Sequence, residues 1–156
     1  PGYRKIGLIA RGTGDVFMND MVEGIMVDNP EQSVWVRHYN DEVLVNPLRV
    51  KAGKLWILGW KSENLRQRAT VHEDGFLEVF GFDNYSVSRH KQGGNWPMFE
   101  IKDGSFSLGA MRQHGSQSNS HLVWETRGDE TRRLTIHNNK SRNLALYTGY
   151  EPEEEE

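Results

Sequence analysis

A short unit recurs along this chain: an apolar residue, a polar run ending in glycine, and a second apolar run closed by another glycine. It occurs as TVHEDGFLEVFGF (70–82), RVKAGKLWILGW (49–60) and EIKDGSFSLGA (100–110), and more loosely as TIHNNKSRNLALYTGY (135–150). The apolar runs are short and partly alternating, which indicates strands rather than helices. The unit therefore predicts β-strands separated by glycine turns.

The polar run of the unit predicts the type of turn. Asp103 and Gly104 lie between two alternating segments, and Asp74 and Gly75 take the equivalent place in the unit at 70–82. Asp-Gly between strands is a strong hairpin signal, because a type I′ turn requires the positive φ that these residues tolerate. We expect antiparallel hairpins at both places.

The rest of the chain follows the same pattern. No stretch repeats apolar residues at helical spacing over a useful length, whereas about twelve to fourteen short strand-like runs are bounded by Gly, Asn, Asp and Pro. The pattern predicts an all-β domain over 1–150, either an antiparallel β-sandwich, a jelly-roll-like fold or a barrel, followed by an acidic tail at 151–156. The units start at unequal intervals, which argues against a solenoid or a propeller and leaves a trefoil open.

Composition excludes several classes. The chain has no cysteine, so it has neither disulfides nor a thiolate metal site. Its 36% hydrophobic residues form short runs, and no signal peptide or membrane-spanning segment is seen, so we expect a soluble protein. Five of the 22 acidic residues lie in the tail, which leaves a slightly basic body that does not demand a nucleic acid partner.

Catalysis and cofactor binding find little support. The sequence has no GxSxG motif and no carboxylate pair of recognisable spacing, so we expect a protein that is not an enzyme. No pair of histidines has a recognised ligand spacing, so we expect no metal or other cofactor. The histidines are His38, His72, His90, His114, His121 and His137.

Two polar stretches, 88–97 and 112–121, are predicted loops and the first place to look for a binding site. Trp96 in GGNWP is the best candidate for stacking on a sugar ring, although it is equally consistent with a plug over the end of the fold. Trp35, Trp56 and Trp124 lie in strands and are expected in the core. The candidate glycan-binding residues are Trp96, Asn95, His90, His114 and His121.

The strands in 54–60 and 76–82 are apolar on both faces, which is typical of subunits that bury a face in an assembly. The candidate partner-facing residues are Trp56, Trp60, Phe80 and Phe82. The leading prediction is a non-catalytic structural or interaction protein that assembles with itself or with a larger structure, as a homo-oligomer or otherwise. The alternatives are a lectin-like glycan-binding module and a monomer with guarded edges.

A second alternative comes from a resemblance. EGIMV (23–27), PLRVKAGKLWILGWKSEN (47–64) and LALYTGY running into EPEEEE look like the order of segments in nucleoplasmin-like domains. That resemblance covers less than a third of the chain and implies a long insertion across 70–130. It would imply a pentameric β-sandwich histone chaperone that binds histones through Glu151 and Glu153 to Glu156.

Overall fold

The computed structural model consists of β-strands and the segments that join them. It describes residues 6–41, 48–63, 67–86, 96–115, 121–135, 142–144 and 146–149, and no helix occurs in these ranges, in agreement with the predicted all-β class. The strands are β1 (Ile6–Ala10), β2 (Asp15–Met21), β3 (Gly24–Asp41), β4 (Leu48–Glu63), β5 (Ala69–Ser86), β6 (Phe99–Lys102), β7 (Ser105–Gly115), β8 (His121–Arg127), β9 (Glu130–Thr135), β10 (Arg142–Leu144) and β11 (Tyr147–Thr148).

Most strand pairs are parallel. β3 pairs with β4, β4 with β5, and β5 with both β6 and β7, each in parallel register. The chain therefore winds as a β-solenoid, in which each coil lies on the previous one. The predicted antiparallel sandwich, jelly roll or barrel is wrong. Alternating apolar runs do not distinguish parallel from antiparallel pairing, and β3 and β5 each extend over 18 residues instead of ending at a hairpin.

The same pairing overturns the fold that the nucleoplasmin resemblance implies, because a β-sandwich has no stacked parallel coils. The acidic tail at 151–156 lies outside the described residues.

Each coil has three inward-facing segments, which stack into columns of apolar side chains. The alternation of buried and exposed residues is interrupted between the second and third segments. Arg37 and His38, for example, are both exposed, so the wall of the solenoid, meaning the surface formed by its stacked strands, bends there. The columns of the first segment are Leu8, Ile25, Leu48, Ala69, Phe99 and Val123, and Ala10, Val27, Val50, Val71, Ile101 and Glu125. A column of the second is Val16, Val34, Leu55, Leu77 and Phe106, and a column of the third is Met21, Tyr39, Trp60, Phe82 and Met111.

The predicted hairpins at Asp-Gly are instead corners between the first and second segments of a coil. Asp103 has a φ of 57°, but Gly104 lacks the positive φ that the predicted type I′ turn requires; the pair joins β6 to β7, and both pair with β5. Gly104 is required because a Cβ atom there would lie 2.3 Å from the carbonyl oxygen of His72. The Asp-Gly pair thus turns the chain without pairing the two strands that it joins.

The unequal spacing of the units has a simple origin. Successive coils are joined at another corner, where the chain runs from Asp41 to Leu48, from Glu63 to Ala69, and from Ser86 to Phe99. These connections differ in length, whereas the strands that they join remain in register. The argument from spacing against a solenoid is therefore wrong. The paired strands repeat from coil to coil, but the number of residues in a coil does not.

The last strands close the solenoid in a different way. β8 and β9 form an antiparallel hairpin, and β10 and β11 pair antiparallel with β7. Glu125 ends an otherwise apolar inward column, and its carboxylate is buried. It accepts hydrogen bonds from the hydroxyl group of Tyr147 and from the guanidinium of Arg127, the latter at 2.8 Å. The C-terminal strands are thereby held to the last coil.

The interior also contains polar side chains at the end of the third segment. Asp41 and Arg68 are both fully buried and form an ion pair at 2.8 Å, and the hydroxyl group of Ser62 donates to the same carboxylate. A buried charge is tolerated only when it is paired, so these contacts fix the end of the third segment. In the described ranges, no helix is long and apolar enough to cross a membrane.

Candidate functional site

A groove of about 870 Å³ runs along the outside of the third segment, parallel to the solenoid axis. It crosses β3, β4, β5 and β7, and we call it the axial groove. Because neighbouring strands are about 4.8 Å apart, it extends over about 14 Å from the first of these strands to the last. Its outward-facing lining consists of His38, Asn40, Gly59, Lys61, Gly81, Asp83, Ala110 and Arg112, and Leu144, which packs against the core, also borders it.

Small residues form the floor of the axial groove. Gly59, Gly81 and Ala110 occupy equivalent positions in successive coils, directly after the bend of the wall. A Cβ atom on Gly81 would lie 3.6 Å from the nearest atom, and one on Gly59 would lie 3.5 Å from its nearest atom. These are ordinary contacts, so packing does not require glycine at either position. The missing side chains leave space instead.

Polar side chains form one rim of the groove. Asn40, Lys61, Asp83 and Arg112 stack in one column, two positions after the floor residues. Lys61 pairs with Glu63 at 2.6 Å, and Asp83 pairs with His114 at 2.9 Å. The rim thus presents amide, ammonium, carboxylate and guanidinium groups at regular intervals along one side of a small-residue floor.

His114, a predicted glycan-binding residue, lies beside this rim. Its ring contacts Tyr85 at 5.0 Å between centroids, and its Nε2 atom contacts the carboxylate of Asp83. Because Asp83 belongs to the rim, this contact places His114 next to the groove.

The other predicted glycan-binding residues are placed elsewhere or lie outside the described ranges. Trp96 is 49% exposed and precedes β6. His121 begins β8, and its carbonyl oxygen accepts from the amide of Met98 at 3.0 Å, so Trp96 and His121 lie at the same corner in successive coils. Asn95 and His90 are not among the described residues.

A second surface feature is a stack of aromatic side chains on the outside of the second segment, which we call the outer ladder. Phe17, Trp35 and Trp56 stack with centroids 4.8 and 4.7 Å apart and with interplanar angles of 11° and 5°. Phe76 tilts by 52° against Trp56. The expectation that Trp35 and Trp56 lie in the core is wrong, because the in-register strands place them on the outer face.

The predicted partner-facing residues divide between the two sides of the wall. Trp56 points outward in the ladder, and Phe80 is half exposed at the bend, as is Leu58 in the preceding coil. Trp60 and Phe82 are buried in the interior, with only 2% and 3% exposure. Only Trp56 and Phe80 of this set are therefore accessible to a partner.

Sequence reasoning missed the axial groove, although a signal for it is present. In the recurring unit, the closing small residue is followed two positions later by a charged residue, as in Gly59 and Lys61 or Gly81 and Asp83. The parallel register converts this spacing into a floor and a rim. Without that register, the glycine is indistinguishable from a turn residue.

Among the described residues, no group of three or more His, Cys, Asp or Glu side chains is placed to hold a metal ion. Comparisons with family models, with curated proteins and with solved structures found no match to this chain. Any functional assignment therefore depends on the geometry of the groove and of the outer ladder.

Proposed function

We propose that the protein is a non-catalytic binding scaffold that holds a linear glycan in the axial groove. The observation that carries this proposal is an elongated groove with a floor of small residues and a rim of planar polar groups. Its volume of about 870 Å³ lies within the usual range of ligand sites. A linear chain of sugar rings suits it, because the rim repeats with the coils just as a glycan repeats along its length.

The backbone under the groove is already hydrogen-bonded within the sheet, which favours a ligand recognised by side chains. Its floor lies on the face of a parallel sheet, in which the strands already bond one another on both sides. A peptide that binds by adding a strand needs a free sheet edge, and the groove offers none. Hydroxyl groups of a glycan can instead bond to the side chains of Asn40, Asp83 and Arg112, while the apolar face of each sugar ring packs on the glycine floor.

Filling the floor tests the proposal. Gly81→Val places a branched side chain in the groove without a backbone clash and with good strand propensity. We expect the substitution to abolish binding in a glycan array and in calorimetry while the thermal midpoint is maintained. The matched control is Gly14→Val, at a corner outside the groove where a Cβ atom meets nothing within 4 Å.

The proposal fails if the wild-type protein binds no linear glycan. It also fails if the Gly81 variant and the Gly14 variant bind equally well.

Assembly is a second candidate function, favoured by the outer ladder. Phe17 ends the stack and is 74% exposed, so one face of its ring is available to a partner. Trp35 is stacked between Phe17 and Trp56, whereas Phe76 tilts against Trp56. We expect light scattering to detect self-association that Phe17→Ser weakens; a wild-type protein that remains monomeric at high concentration would count against this function.

A further inference from the structure

We propose that Arg112 makes the axial groove selective for an acidic glycan, one that carries carboxylate or sulfate groups. This inference rests on the proposed function, because it assigns the ligand class of the same groove. It depends on the charged side chains that line the groove and on which of them already have partners.

Other titratable side chains along the groove contact partners within the protein. His38 contacts Asp20 at 3.2 Å, Lys61 pairs with Glu63, and Asp83 pairs with His114. Arg112 is exposed, as His38 and Lys61 are, but among the described residues it forms no ion pair or hydrogen bond. None of the described side chains holds its guanidinium, and the proposal assigns that group to a ligand.

The neighbours of Arg112 define a corner for an anionic group. Arg112 lies on β7, and β10 pairs antiparallel with β7, with Asn143 opposite Arg112 and Leu144 opposite Met111. Leu144 lines the groove beside it and adds an apolar surface. A guanidinium group binds a carboxylate or a sulfate with two parallel hydrogen bonds, and it remains charged at every physiological pH.

The positions of the charged residues along the rim determine where an acidic group can bind. Asp83 is the acidic member of the rim column, and the strand spacing places it about 5 Å along the axis from Arg112. An anionic group near Asp83 would be repelled, whereas one at Arg112 would be attracted. We therefore infer that a single acidic sugar is recognised at the Arg112 end and that neutral sugars fill the remainder of the groove.

The experiment compares an oligouronate with its carboxyl-reduced, neutral counterpart of the same linkage and length, together with a sulfated oligosaccharide. A charge-assisted contact predicts that the acidic form binds the wild-type protein about tenfold more tightly or better. Arg112→Gln should reduce this preference to near unity, and Arg112→Lys should retain part of it. Arg37→Gln, which removes an exposed arginine outside the groove lining, is the matched control and should leave the preference unchanged.

The outcomes separate the two proposals. If both glycans bind with equal affinity and Arg112→Gln changes neither, the selectivity is overturned while the groove remains a glycan site. If neither glycan binds, the proposed function itself fails. If only the sulfated oligosaccharide shows the preference and loses it in the Arg112 variant, the anion is a sulfate rather than a carboxylate and the inference stands.

Discussion

The aromatic rings inside the solenoid and those of the outer ladder pack in different ways. Inside, Trp60 meets Phe82 at an interplanar angle of 68° and Phe99 at 87°. In the outer ladder, Trp35 and Trp56 are almost parallel, at 5°. Trp60 and Phe82 are neighbours along the axis in the third segment, whereas Phe99 belongs to the first segment and also stacks on Phe106 of the second at 28°. The interior rings therefore make contacts across the coil as well as along it. In the outer ladder, Phe17, Trp35 and Trp56 are register partners along the axis, and their rings contact one another there.

This difference separates two structural roles. Interior rings hold the walls of the coil at a fixed distance from one another, because Trp60 of the third segment contacts Phe99 of the first. The outer ladder links one coil to the next and leaves the cross-section unaffected. Loss of an interior ring should therefore weaken the whole fold, whereas loss of an outer ring should weaken contacts between successive coils.

The largest effect is expected for Trp60→Ala. Removing a fully buried aromatic side chain typically costs about 3–5 kcal/mol, through lost burial and the cavity that remains. Urea denaturation followed by circular dichroism should show this loss in the free energy of unfolding. Trp60→Phe, which retains an aromatic ring, should cost clearly less; equal losses in the two variants would show that the interior rings do not brace the walls.

A smaller effect is expected for Trp56→Ala in the outer ladder, about 1–2 kcal/mol, because the side chain is only partly buried. The contribution of the stack can be isolated with a double-mutant cycle. Trp35→Ala and Trp56→Ala should couple by about 0.5–1.5 kcal/mol, since their rings contact each other. Additive losses would mean that the parallel stacking contributes no stability beyond area burial.

Phe17→Ala should have less effect still, within about 0.5 kcal/mol, because Phe17 is mostly exposed and has one ring neighbour. A thermal melt of this variant beside Trp56→Ala would test the gradient along the ladder. A loss as large as that of Trp56→Ala would show that the exposed ring is held by contacts other than the stack.

Tyr39 gives the smallest effect at neutral pH and a distinct one at alkaline pH. Burial, and secondly the carboxylate of Asp41, raise the pKa of Tyr39 well above its ordinary range. The unfolded chain loses this proton near pH 10 and the folded chain keeps it, so stability is retained below about pH 10 and falls as the pH rises further. Its hydroxyl group has no hydrogen-bond partner among the described residues.

Tyr39→Phe should therefore be neutral or slightly stabilising at pH 7 and should reduce the alkaline loss of stability. Denaturation curves at pH 7 and above pH 10 compare the two proteins. A strong destabilisation at pH 7 would reveal a hydrogen bond to the hydroxyl group, and an unchanged alkaline slope would assign that slope to other groups.

The sequence predicts some of these features and hides others. The all-β class follows from local alternation, and the positive φ of Asp103 follows from turn chemistry. Parallel pairing does not follow, because hydrogen bonding between coils depends on partners more than 20 residues away, such as Val34 and Leu55. Where a strand is apolar on both faces, the sequence also does not show which face points inward. In KLWILGW, Trp60 points inward and Trp56 outward, since the wall bends at Leu58 and Gly59.

The candidate site was less predictable than the fold class. The polar stretches and Trp96 are locally unusual, and one stretch, 112–121, does contain Arg112 at the rim and His114 beside it. The floor and the remainder of the rim of the axial groove consist of residues that are locally ordinary. Gly81 resembles a turn residue, and Arg112 resembles a solvated charge, until the register places them beside Gly59 and Lys61. A site made by repetition across strands is invisible to reasoning that considers one segment at a time.

The described strand ends that flank the connections between successive coils lie at one corner, so the length of a connection is uncoupled from the rise of the solenoid. The segment from Ser86 to Phe99 is longer than that from Glu63 to Ala69, yet the strands on either side keep the same pairing. Foreign loops grafted at this corner would form a row along one side of the solenoid, and the distance between successive coils would set their spacing. The opposite flank, with its glycine corners, would keep a constant contour through any such change.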